Sequence, residues 1–339
     1  MKTDKPAFDP KAVKLLAAYN APCTLFAVCL DETGRTLYGA GMDGAIHAVD
    51  LAAEKPAVKR WPAHDNYVSA LIRRQGQLVS AGFDRRLIWT DLDTGKRARS
   101  IVAHDGWVRK LVPTPDGERL VTAGDDMRLK VWDAATGKPI ASLAGHALRT
   151  PEGYLSALYA AAVSPDGKYA ASGDRAGFVR VWDLSAGKTL AEFRAAELYT
   201  FDSRKRARAI GGVRGLAFSP DGSRLAVSGI GPVTNVDGFV GPCRVEVWDW
   251  KAARRTSVGE NKHQAILNHV AFGPEGAWLI GAGGGDGGGA LMLWDTAGTV
   301  PPHIAKPKGH LHAFVLDAAG TRLYAAGHGG FQVWQLRTG

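Results

Sequence analysis

Apolar and polar positions alternate in short runs along nearly the whole chain. Leu129-Lys130-Val131-Trp132 and Phe178-Val179-Arg180-Val181-Trp182 follow a period of two, which puts successive side chains on opposite faces of a strand. No stretch needs a helical period to account for its apolar residues. Turn sequences punctuate the runs: Pro115-Asp116-Gly117, Ser164-Pro165-Asp166-Gly167 and Ser219-Pro220-Asp221-Gly222, with Thr136-Gly137-Lys138 and Ala186-Gly187-Lys188 at a second kind of turn. Proline presets the turn dihedral and glycine supplies the positive φ that a hairpin needs. The pattern predicts an all-β protein.

The runs recur as a unit: a histidine, an apolar strand, a Pro-Asp-Gly turn, a second strand, then a third ending in Trp-Asp. Trp132-Asp133, Trp182-Asp183, Trp248-Asp249 and Trp294-Asp295 end four units. Val49-Asp50, Thr90-Asp91 and Trp334-Gln335 fill the same slot in three more. The seven slots are separated by 41, 42, 50, 66, 46 and 40 residues. Four short strands in roughly 40–45 residues is the period of a propeller blade.

These residues resemble the WD-repeat β-propellers, of the bacterial type with Ser-Pro-Asp-Gly turns, over nearly the whole chain. The resemblance implies a seven-bladed β-propeller with four antiparallel strands per blade. In the third unit, His104, Thr122, Asp126 and Trp132 stand where that family forms a buried hydrogen-bonded tetrad, so the same structural tetrad is implied here. The second unit keeps His64, Ser80 and Asp84 but has Thr90 in place of tryptophan. The fourth keeps His146 and Trp182 but has Ala176 in place of the acid, which puts Asp174 outside the tetrad slot.

The seventh unit runs out of chain before a fourth strand, whereas Ala12 to Tyr19 resembles the outer strands of other units. The reading is a single domain over 1–339, with 1–20 as an arm and closing strand and 21–339 as repeats. Closure of this kind removes an exposed sheet edge.

Measured against the third unit, the chain carries eight extra residues between His146 and Asp166 and thirteen between Ala196 and Asp221. It carries eleven between Val227 and Trp248 and three between Gly281 and Trp294. In a four-stranded meander these connections all emerge at one end, so one face over blades four to six is decorated and the other is bare. Insertions gathered on one face of a repeat array commonly mark its binding face.

Composition narrows the classes. The 42 glycines have no collagen period, and the formal net charge of +9 favours an acidic partner. The uncharged run from Leu15 to Leu30 is broken by Asn20 and Pro22, which reads as two strands and a turn rather than a membrane segment. Cys23 and Cys29 would stand about 20 Å apart on one strand, too far to bridge. With no membrane partner and no disulfide framework, the expected location is cytoplasmic.

Candidate chemistry is sparse. Arg204-Lys205-Arg206-Ala207-Arg208 could grip an anion, but no aromatic residue interleaves it, which argues against nucleic acid. Gly283 to Gly288 matches GxGxxG without a following helix, so it reads as a flexible inserted loop between strands. His310, His312 and His328 cluster in the seventh unit without the spacing of a metal site. Tyr67, Trp107, Tyr154 and Tyr159 stand just before or at the start of inner strands, where rings can anchor a partner.

The function expected is a non-enzymatic scaffold binding a protein or peptide on the decorated face. The partner-binding residues expected are Tyr67, Trp107, Arg149, Tyr154, Tyr159, Arg204, Arg206 and Phe239. No catalytic residue, cofactor or metal is expected. The alternatives are a propeller hydrolase working at the channel mouth, or an anion-binding or nucleic-acid-binding propeller using 204–208.

Overall fold

The computed structural model describes residues 12–203, 208–235, 240–297 and 302–336. They form seven four-stranded antiparallel sheets and one two-stranded hairpin. Blade 1 covers 25–62, blade 2 68–102, blade 3 108–144 and blade 4 158–194; blade 5 covers 215–264 and blade 6 266–305. Blade 7 combines 311–335 with the strand Lys14–Asn20. Each inner strand touches the next, and Leu311–Leu316 touches Leu25–Leu30, so the sheets close a ring. The protein is a seven-bladed β-propeller.

A single blade cannot bury its two apolar faces, so the core lies between blades. Val79 and Trp89 of blade 2 pack with Val108, Leu120 and Trp132 of blade 3. Phe193 of blade 4 stacks on Trp248 of blade 5 with ring centroids 4.3 Å apart. The ring is closed where Lys14–Asn20 pairs with Gly330–Gln335, from Lys14 opposite Gln335 to Asn20 opposite Gly330. Gly330 takes a φ of 121°, and a Cβ there would lie 2.2 Å from the Tyr19 carbonyl oxygen. Only glycine fits at that corner.

The turns are held by their acids. The Asp166 carboxylate accepts from the Ser164 hydroxyl at 2.6 Å and the Lys168 N–H at 3.1 Å. All three thiols are free. Burial pushes Cys29 and Cys243 up to about 12, which leaves them as packing groups.

In blade 3, His104 Nδ1 lies 2.8 Å from Asp126 and its Nε2 lies 2.7 Å from the Thr122 hydroxyl. The Trp132 indole donates to the same hydroxyl at 2.9 Å. Blade 2 keeps the His64–Ser80 and His64–Asp84 bonds, with Thr90 buried. Blade 4 corrects the sequence reading. Asp174 is not outside the tetrad: its carboxylate lies 3.1 Å from His146 Nδ1, while Ser172 meets both His146 and the Trp182 indole at 2.8 Å. The register explains the substitution. Asp174 occupies the strand position of Gly124 in blade 3, where an added Cβ would point at His104 Nδ1 from 2.5 Å. An aspartate growing from that position reaches the histidine directly, so the turn no longer needs its acid.

The glycine run of blade 6 is also not a flexible loop. It extends the strands Trp278–Gly285 and Gly288–Asp295, with a tight turn at Asp286 and Gly287. A Cβ at Gly283 would meet the Ile266 carbonyl oxygen at 1.8 Å, so missing side chains let neighbouring backbone approach.

Two outcomes test this account. Removing residues up to Asn20 exposes the edge Gly330–Gln335, so the truncated chain should melt at lower temperature and elute as aggregate in size-exclusion chromatography. Asp126→Ala and Asp174→Ala should each cost about 1–3 kcal/mol in urea unfolding, because each strands a buried histidine. An Asp174→Ala protein as stable as the parent would contradict the blade 4 tetrad.

Candidate functional site: the channel mouth

The inserted connections emerge where the inner strands begin, and they hold one another. Residues 195–214 contain the short 3-10 turn Ala196–Leu198 and a hairpin of Tyr199–Asp202 with Arg208–Gly211. Ile210 packs with Ile230 and Val233 of the blade 5 insertion, and the Val233 N–H donates to Thr200 Oγ1 at 3.0 Å. The Tyr199 hydroxyl donates to Glu152 of the blade 4 insertion, and Tyr154 lies beside Phe201 at 5.8 Å between centroids.

Inside this wall, one backbone device repeats around the ring. The ladder between first and second strands skips a residue at Phe26, Ser69, Arg109, Tyr159, Asn268 and His312. Each directly follows the first buried apolar residue of its inner strand. A bulged residue is released from pairing and its side chain is re-aimed. In blade 5 Arg214 fills the same slot, directly before Gly215–Phe218, with its N–H on the Ser228 carbonyl at 2.8 Å. Every blade therefore offers one side chain of this kind: two arginines, three rings, a serine and an asparagine.

These side chains and their neighbours form a continuous arc. His312 meets Phe26 edge-on at 5.1 Å, Phe26 lies 5.8 Å from Tyr67, and Tyr67 lies 5.7 Å from Phe83. Phe83 stacks flat on Trp107 at 4.4 Å. The Arg109 guanidinium lies over Phe83, Trp107 and Tyr159 at 4.9, 4.8 and 5.4 Å, and the Arg214 guanidinium also lies over Tyr159, at 4.2 Å. Cation–π contacts of this kind contribute about 0.5–2 kcal/mol each, more as water is excluded.

Below the arc lies a cavity of about 120 Å³ lined by all seven inner strands. Its lining includes Lys110 and His269 and no carboxylate. Desolvation in the narrow channel lowers the pKa of Lys110 and of Arg214. Asp125 holds Arg109 with two bonds of 2.7 and 2.9 Å, whereas Arg214 Nε has no partner among the described residues. The mouth is thus cationic with an aromatic rim. Burial, then the nearby charge of Lys110, pushes His269 down to about 3, and its Nδ1 accepts the Phe314 N–H at 3.0 Å. Burial likewise pushes His312 down to about 4.

Of the residues expected from sequence, Tyr67, Trp107 and Tyr159 share this arc. Trp107 is 44% exposed at its outer edge. Arg149 and Tyr154 lie apart in the blade 4 insertion, where Arg149 Nη1 donates to the Gly153 carbonyl at 2.6 Å. Arg204, Arg206 and Phe239 lie outside the described residues. His310 and His328 stack at 4.6 Å, with His312 beside His328 at 5.2 Å. Sequence reasoning passed over Phe26, Phe83, Arg109, Lys110 and Arg214. The cue was positional: each bulged residue follows the first buried apolar residue of its inner strand, as Arg109 follows Val108.

Residues 95–133 and 137–183 match the family model described as WD domain, G-beta repeat. Those segments end in the third strands of blades 3 and 4, and the other blades continue the same four-stranded topology. The chain is a seven-bladed propeller in which residues 95–133 and 137–183 match WD repeats. A comparison with curated proteins gives no match. Among the described residues, no helix is long and apolar enough to cross a membrane.

The channel histidines make stability depend on mild acid. Their folded pKa values lie below the unfolded value of 6.5, so the unfolded chain takes up protons first as pH falls. Stability should therefore fall between pH 6.5 and about 4, and His312→Asn should flatten that part of the profile. Melting curves across that range, for parent and variant, check this.

Proposed function

We propose that the protein is a non-enzymatic interaction scaffold that takes an acidic peptide segment of a partner protein into the channel mouth on the insertion face. WD-repeat propellers commonly mediate protein interactions, and that role suits a rigid ring of this kind. The observation that carries the reading is the cationic mouth: Lys110 lines a cavity without a carboxylate, and Arg214, next to the lining residue Gly215, lies over the Tyr159 ring of the aromatic rim. Folding has already removed much of the water from these cations. An entering carboxylate therefore meets donors that folding has already partly desolvated, which favours tight charge-assisted hydrogen bonds. Phe26, Tyr67, Phe83 and Trp107 add rigid apolar area beside the charges. Arg149 and Tyr154 would extend the surface along the blade 4 insertion, and Arg204, Arg206 and Phe239, outside the described residues, are proposed as further contacts.

The test is fluorescence anisotropy with a labelled pool of random peptides enriched in Asp and Glu, beside its Asn/Gln counterpart. The acidic pool should bind tighter, and its affinity should fall as salt is raised. Trp107→Ala, at an exposed position, should weaken binding about tenfold, on the order of 1.4 kcal/mol. Arg214→Met should remove the preference for acid. Glu118→Lys, in the turn at the opposite end of blade 3, should change nothing. Equal binding of the two pools, or a loss on Glu118→Lys matching that on Trp107→Ala, would refute the proposal.

A further inference from the structure

We propose that Cys23, Asp43 and His47 of blade 1 form a binding site for a divalent transition metal of the zinc class, with a fourth position open to solvent or to a partner's side chain. Cys23 lies just before the inner strand Leu25–Leu30, Asp43 in the turn after Thr36–Gly41, and His47 in the third strand Ala45–Asp50. One donor atom from each lies within 4.8 Å of the others, and this is the one such group among the described residues. The Sγ–Nε2 distance is 3.8 Å and the Nε2–Oδ1 distance is 3.1 Å. Tetrahedral zinc with Zn–S of about 2.3 Å and Zn–N or Zn–O of about 2.0–2.2 Å requires donor separations of about 3.4–3.6 Å. The Sγ–Nε2 and Nε2–Oδ1 separations lie within a few tenths of an ångström of that geometry, and the thiol and a carboxylate oxygen lie within 4.8 Å of each other.

The connectivity separates this site from two plainer readings. A nucleophile relay uses both ring nitrogens, one toward the thiol and one toward the acid. Here thiol and carboxylate both converge on Nε2, and the buried Nδ1 has no partner among the described residues. The tetrads of blades 2 to 4 also use both nitrogens, anchored on a central hydroxyl. Blade 1 has Gly39 at that hydroxyl position, and the Phe331 ring lies 2.5 Å from where its Cβ would be. Blade 1 therefore lacks the centre of a tetrad yet keeps an acid in the turn, and gains a thiol and a histidine beside it.

The surroundings suit a ligand set. His47 is 0% exposed, so its ring is held by packing. Arg60 Nε takes Asp43 Oδ2 at 2.8 Å, which turns Oδ1 toward His47. Oδ1 also accepts the Ala45 N–H at 3.1 Å and retains a second lone pair. Fixing a ligand through its outer oxygen is the usual work of a second coordination layer. Asp43 reaches the surface, so an ion can enter without opening the ring.

The experiment is cobalt titration of the full-length protein after chelator treatment and dialysis. One equivalent of Co²⁺ should give a thiolate-to-cobalt charge-transfer band with the intense visible bands of tetrahedral coordination, and Zn²⁺ should displace it. Cys23→Ser should abolish the charge-transfer band. Asp43→Asn should keep the fold, by circular dichroism, and weaken cobalt binding by about tenfold or more. His328→Gln should leave the titration unchanged, which separates this site from the histidines of blade 7. No charge-transfer band in the parent, a band that persists in Cys23→Ser, or unchanged affinity in folded Asp43→Asn would overturn the assignment.

Discussion

The antiparallel pairing of Lys14–Asn20 with Gly330–Gln335 joins the two ends of the chain in one sheet. Every other blade depends on it, because each buries its apolar faces only against its neighbours. Without that pairing, blade 7 would hold three strands and an unpaired edge, and the interface it shares with blade 1 would be open on one side. Leu25, Leu37 and Val49 of blade 1 pack directly on Tyr324, Phe331 and Val333 of blade 7. Closure thus converts a row of marginal sheets into a ring, and the ring holds the channel at fixed width.

That rigidity is what makes the mouth chemically interesting. The same one-residue bulge recurs at the start of the inner strands, so ordinary strand sequences deliver a set of side chains to one rim. Because the channel is narrow and lined by seven backbones, the cations placed there lose water without gaining acids. Arg109 is the exception, since Asp125 of the same blade neutralises it. The cation that lines the cavity is Lys110, and Arg214 lies over Tyr159 with its Nε unpaired among the described residues.

The repeat tolerates changes in the residues that hold each blade, provided the buried polar groups are still satisfied. Blade 4 moves its acid by two positions, from the turn to the strand. Blades 5 and 7 satisfy their indoles from within the third strand, Trp248 on Glu246 at 3.1 Å and Trp334 on Gln332 at 3.0 Å. Blade 1 holds instead a trio of donor atoms converging on one nitrogen. In blades 4, 5 and 7 the changed residue supplies the partner that a buried histidine or indole would otherwise lack, which is costly.

The all-β class, the seven blades and the closing strand were legible in the chain because period-two runs, turn residues and Trp-Asp slots are local signals repeated many times. Tyr67, Trp107 and Tyr159 could be picked out for the same reason, since each holds a fixed place relative to an inner strand. Asp174 was misread because a strand position two residues before the turn slot also aims its Cβ at the histidine, and register, not local sequence, decides which of the two carries the acid. The glycine run of blade 6 looked like a loop because composition records flexibility and not the close backbone approach that removes it. The pairing of Arg109 with Asp125, the stacking of Arg214 on Tyr159 and the meeting of Cys23 with Asp43 and His47 were settled only by tertiary structure. Each joins side chains whose separation is set by bulges and register, and no local pattern in the chain encodes those distances.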